Sequence, residues 1–158
     1  MFYLLNYTGG MKVSFRQEKG KGFVSTVDGK EMLTIDDHYA NRPELYSPTE
    51  LLLFAAGTCS GPDVLGILEK MKQQLDRYEC EVTGERMTEF PKIFKYVNVH
   101  YKAWGNVKPE ALKKAANLSL SKYCHVGITL ARAGIDVTYS YSVNGQKIEE
   151  FLHPVQEE

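Results

Sequence analysis

Cysteine is scarce in this chain. The three present, Cys59, Cys80 and Cys124, are too few and odd in number for a secreted disulfide framework. They imply a reducing, cytoplasmic setting, where a useful disulfide is transient and catalytic. An excess of charge is also lacking: 19 Lys+Arg stand against 20 Asp+Glu, a formal net charge of −1. Binding to a phosphate backbone needs clustered Lys and Arg, so nucleic acid is not expected as a partner. No apolar run reaches the roughly 18 residues of a membrane span, so no membrane is expected either. Met1 to Leu5 is apolar but has no basic flank and no small-residue cleavage site, so it does not read as a signal peptide.

Several kinds of chemistry find no support. The cysteines and the histidines His38, His100, His125 and His153 show no zinc-ligand spacing. Gly20-Lys21-Gly22 is too short to cradle a phosphate, and the chain has no nucleophile elbow. Neither a metal nor an organic cofactor is expected. Repeats, low-complexity stretches and Pro/Ser-rich linkers are missing too.

What is there is globular. Of 158 residues, 43% are hydrophobic and 25% charged, which suits one domain with a sizeable core. Residues 1–10 read as a flexible arm, with Met11 as an alternative start. Residues 11–46 hold three short strands, hinged at Asp28-Gly29, a strong hairpin signal. Ser47-Pro48-Thr49-Glu50 reads as a capping box with Pro at the first helical position. It opens a central helix over 47–76. Leu51 to Ala56 is apolar on every face, the pattern of a buried helix, and Pro62 is expected to kink it near Cys59. Residues 77–145 carry two alternating strands, a helix from Lys108 to Ser121, a short helix from Cys124 to Gly134 and a strand from Ile135 to Val143. Residues 146–158 read as a loose acidic tail. Grouped strands and helices of this kind make an α+β fold with a mostly antiparallel sheet. One short chain has difficulty covering so apolar a helix, so a homodimer is expected to bury it.

The cysteines are the strongest chemical candidates. Cys59 lies among Gly57, Thr58, Ser60 and Gly61, small neighbours that allow close approach. Cys124 is expected at a helix N-terminus, where a thiolate is favoured. Cys80, on the apolar face of a strand with Tyr78 and Val82, reads as core.

The run from Ser47 through Cys59-Ser60-Gly61-Pro62-Asp63-Val64, with Lys122-Tyr123-Cys124 downstream, resembles the OsmC/Ohr family of thiol peroxidases and related redox proteins. Glu85-Arg86 to Pro91 and Leu118-Ser119 resemble its YhfA-like branch. The resemblance covers roughly residues 11–145. It implies an OsmC-like fold, an intertwined homodimer with sites at the interface, and no cofactor. It implies that Cys59 attacks the O–O bond of an organic hydroperoxide and becomes a sulfenic acid, that Cys124 resolves it as a disulfide, and that a dithiol reductant, of lipoyl type in the family, completes the cycle. In better-studied members an Arg of the early hairpin, held by a Glu directly after the helix-start Pro, lowers the pKa of the attacking thiol. Here Thr49 follows Pro48, and the first hairpin carries Lys19 and Lys21. Glu50, Arg42 and Arg16 are therefore the candidate assisting residues. The missing motif pair favours a rival reading, a non-catalytic or sensor-type dimer that binds a small apolar ligand in its cleft. A structural role as the start of the last helix is the reading given to His125.

Overall fold

The computed structural model describes residues 12–37 and 44–155. The chain divides into two compact units, one ending at Leu51 and the other beginning at Leu52. The expected arm, residues 1–10, and part of the loop after the early strands, which holds Arg42, lie outside the described residues.

The first unit is a three-stranded antiparallel sheet of β1 (Phe15–Glu18), β2 (Gly22–Val27) and β3 (Lys30–Ile35), in that order. Asp28 and Gly29 both take positive φ, 50° and 76°, the two-residue turn whose twist matches its flanking strands. Val24 is fully buried, and Phe23 meets Phe15 edge to face at 5.3 Å. Phe15 and Met32 nevertheless remain exposed.

Helix α1 (Pro48–Lys70) starts as its sequence dictates. Ser47 Oγ accepts from the Glu50 N–H (3.3 Å) and Glu50 Oε2 accepts from the Ser47 N–H (2.8 Å), a reciprocal capping box. One expectation about this helix needs correction. It does not reach residue 76: it ends at Lys70, because Lys72 turns the chain at φ 55° and the Gln73 N–H bonds back to the Leu68 carbonyl at 3.0 Å. A left-handed residue that is not glycine leaves no signal in the sequence. Within one chain the helix is covered on one face. Ala56, Gly57, Ser60, Gly61, Val64 and Leu68 are buried, while Leu52, Phe54 and Leu65 are exposed. A single sheet can cover only one face of a helix.

At 23 residues, with mean hydropathy 1.6 over its most apolar window, α1 is long and apolar enough to cross a membrane. Its Val64 and Leu68 instead join the core of the second unit, with Val99, Tyr101, Leu112 and Tyr139. Pro62 sits inside the helix without ending it.

The second unit has a four-stranded sheet, order β4-β5-β6-β7, made of β4 (Gln74–Arg86), β5 (Phe94–Asn106), β6 (Asp136–Val143) and β7 (Gln146–Leu152). β4–β5 and β6–β7 pair antiparallel and β5–β6 pairs parallel, so the sheet is mostly antiparallel, as expected. A parallel pair needs a long crossover. It is supplied by α2 (Pro109–Leu118), a π-helical turn (Ser119–Tyr123) and α3 (His125–Arg132).

The expected loose tail is another correction. Asn144 and Gly145 both take positive φ (50° and 79°), and residues 146–152 return as the edge strand β7. Beyond it, Asn117 grips the Val155 backbone with both amide atoms, at 2.9 and 2.8 Å. The charged run Lys147-Ile148-Glu149-Glu150 hides a strand whose Ile148 and Leu152 pack on the core.

Candidate functional site

The site is built where α1 crosses over β4 and β5 and meets the crossover helices. Gly57 makes the crossing possible. A Cβ there would stand 2.9 Å from Val82 Cγ2 and 3.4 Å from Cys80 Sγ. Cys80 faces Tyr101 across the β4–β5 pair. The Tyr101 hydroxyl lies beside Ser60 of α1, and the Tyr78 hydroxyl lies beside Cys80. Burial pushes the Cys80 thiol up to about 11, in keeping with its reading as core.

Cys59 is half-buried on α1, and Cys124 is fully buried at the N-cap of α3. The two come together. Cys59 is close enough to influence the ionisation of Cys124, and Cys124 Sγ lies 4.0 Å from the Ala56 carbonyl, one turn before Cys59. Cys124 Sγ also accepts from the Gly127 N–H at 3.3 Å.

The expected N-terminal position of Cys124 is therefore correct, but its expected consequence is not. The Gly127 N–H does favour the thiolate. Burial opposes it more strongly, and Cys59 and Asp63 add to the opposition, so the thiol is pushed up to about 12. Removal of the side chain from water outweighs one helix-end donor. Pro62 does not break α1 near Cys59: the helix runs from Pro48 to Lys70, and Cys59 lies in its interior without free N–H groups ahead of it.

Sequence reasoning missed a latch beside the pair. Asp63, four residues after Cys59 and so on the same helix face, accepts from Ser119 Oγ at 3.0 Å. Ser119 Oγ also lies 3.3 Å from the Ser60 carbonyl, and the Ser119 carbonyl accepts from the Cys124 N–H at 2.7 Å. Burial raises the pKa of Asp63; the Ser119 hydrogen bond and nearby His125 pull it back. The spacing of Asp63 from Cys59 was the available signal.

Of the candidate assisting residues, Glu50 and Arg16 have other partners, and Arg42 lies outside the described residues. The Glu50 carboxylate accepts from the Ser47 hydroxyl (2.7 Å) and N–H, which hold it below the usual carboxylate range. Arg16 pairs with Glu18 at 2.5 Å. A cleft of about 630 Å³ on the π-helical turn and α3 is lined by Leu120, Lys122, Ile128, Arg132, Ile135 and His153 among others, and by no cysteine. Among the described residues, no cluster of three or more His, Cys, Asp or Glu is poised to hold a metal.

The fold agrees with what known proteins show. The family model for OsmC-like proteins matches residues 41–140. The chain belongs to the OsmC-like family. It is 41% identical to Protein YhfA of Escherichia coli K12 over 98 residues, 61% of this chain and 72% of that one. A crystal structure of a hypothetical protein from Aquifex aeolicus VF5 superposes with a TM-score of 0.73 at 30% identity, covering 87% of this chain and 98% of the other. An organic hydroperoxide resistance protein OsmC from Legionella pneumophila superposes at 0.64 with 14% identity, over 86% and 98% of the two chains, a likeness of fold. Membership in this family fits a redox or hydroperoxide-related role.

Proposed function

We propose that this OsmC-like protein is a thiol-dependent peroxidase acting on organic hydroperoxides. The observation that carries this reading is the 4.0 Å approach of the fully buried Cys124 Sγ to Ala56, one turn before the half-buried Cys59 on α1. In this reading the Cys59 thiolate attacks the O–O bond, an alcohol leaves and Cys59 becomes a sulfenic acid. Cys124 then condenses with it to a disulfide and water. A dithiol reductant, of lipoyl type as in the family, returns both thiols by exchange. The neighbouring Ala56 and the apolar cluster around Cys124 favour an organic peroxide over hydrogen peroxide. The hydroperoxide-resistance relative of the same fold supports this substrate class. The sparse free thiols support a cytoplasmic site of action.

The test is peptide mapping without reductant, after one equivalent of cumene hydroperoxide and a quench within seconds. A Cys59–Cys124 disulfide, missing in Cys59→Ser, is expected. Free thiols at both positions, with hydrogen peroxide failing as well, would end the peroxidase reading.

One observation favours a second reading. Glu50 is engaged with Ser47 and Arg16 with Glu18, so the motif pair that activates the thiol in better-studied members has no counterpart in those two residues. A sensor-type or non-catalytic dimer binding a small apolar ligand would keep the disulfide but turn over poorly. Steady-state peroxide consumption with a dithiol reductant separates the two.

A further inference from the structure

The peroxidase reading leaves open how a fully buried thiol delivers its sulfur to Cys59 on time. Cys124 hangs on a π-helical turn, an element rare in proteins and frequent at functional sites. The turn is tied at both ends of one residue, Ser119. Its carbonyl holds the Cys124 N–H at 2.7 Å, and its hydroxyl reaches Asp63 Oδ2 at 3.0 Å and the Ser60 carbonyl at 3.3 Å on α1, the helix that carries Cys59. Ser119 is fully buried, so its hydroxyl has no water to fall back on.

We infer that Asp63, acting through Ser119, is the positioning residue of the resolving half of the cysteine pair: it latches the Cys124 turn to α1. The inference rests on the peroxidase reading for its biological purpose, but not for its test.

Asp63 interacts with groups from two other elements. Ser119 comes from the π-helical turn, Cys124 from the cap of α3 and His125 from the first residue of α3, while Cys59 lies one turn earlier on α1. A carboxylate beside Cys124 opposes loss of the thiol proton. In the closing step the Cys124 thiol gives up its proton and its sulfur attacks the Cys59 sulfenic sulfur. The S–O bond breaks, the departing hydroxide takes the proton and water leaves. The Cys124 sulfur is oxidised and the Cys59 sulfur reduced to the disulfide level, so no further oxidant is needed.

The test replaces the peroxide with the aromatic disulfide dithiobis(nitrobenzoate). Cys59 attacks it and releases one thionitrobenzoate; Cys124 then attacks the mixed disulfide and releases the second. Peptide mapping assigns the bond, and circular dichroism confirms that each variant is folded. Ser119→Ala and Asp63→Ala should lower the ratio of the second to the first release rate about tenfold, a loss of positioning equivalent to one decade in rate. Asp63→Asn keeps an oxygen for Ser119 and loses the charge. It should hold the wild-type geometry and bring the ratio back to near the wild-type value, a rescue that general destabilisation would not give. Wild-type ratios in both Ser119→Ala and Asp63→Ala would overturn the latch, and a ratio in Asp63→Asn as low as in Asp63→Ala would overturn its dependence on the Ser119 hydrogen bond. If these variants behave as expected while cumene hydroperoxide leaves Cys59 unoxidised, the peroxidase reading fails and this inference stands.

Discussion

Cys124 sits where two effects oppose each other. The α3 cap offers it an N–H, and complete burial removes it from water; burial prevails and pushes the thiol up to about 12. A thiol whose folded pKa lies above its unfolded value, near 9.0, holds its proton more tightly when folded. Its contribution to stability is complete below about pH 9 and is lost as pH rises toward 12. Cys80, pushed up to about 11, adds in the same direction. The protein should therefore lose stability steadily above pH 9, measured by urea midpoints across that range, and Cys124 should resist iodoacetamide at pH 8 until denaturant is added. A flat alkaline profile would contradict the buried, un-ionised thiol. The neighbours of Cys59 and Cys124 in the chain single these two thiols out from Cys80. The latch was not legible in the sequence, because Ser119 stands 56 residues from Asp63 and nothing local announces the pairing.

The elements divide by where their signals lie. The start of α1 was readable because Ser47, Pro48 and Glu50 carry the whole cap within one turn. Its end was not, since Lys72 adopts a left-handed conformation without glycine. The π-helical turn has no sequence signature; its alanine-rich approach reads as ordinary helix up to Ser121. β7 was hidden by its glutamates, although one of them is structural: Glu149 accepts from the Tyr141 hydroxyl and pairs with Lys113 at 2.8 Å. Asn117 then fixes the chain beyond β7 through its grip on Val155. Asn117→Ala removes both bonds and should cost about 1–3 kcal/mol where they are buried. Limited proteolysis should show cleavage after β7 at a lower protease concentration than in the wild type, with the sheet's circular dichroism retained.

Across the whole molecule the apolar surface is the outstanding feature. Leu52 and Leu65 on α1 are 38% and 39% exposed, and Phe15 and Met32 on the first sheet are 64% exposed each. Scattered apolar residues are ordinary, but Leu51–Ala56, apolar on every face, leaves Leu52 in solvent, which suits an interaction surface. A homodimer burying α1 is the expected occupant, measured by light scattering during gel filtration. Leu65→Arg should shift the protein toward monomer, and a monomeric wild type would count against the expectation.

The distance along the chain between the two thiols has a thermal consequence. Closing Cys59 onto Cys124 would loop about 65 residues, and a crosslink of that span restricts the unfolded chain by roughly 4 kcal/mol. An oxidised protein should then melt well above the reduced one. A melting curve taken with and without reductant would report the redox state of the pair directly, with no need for substrate or label.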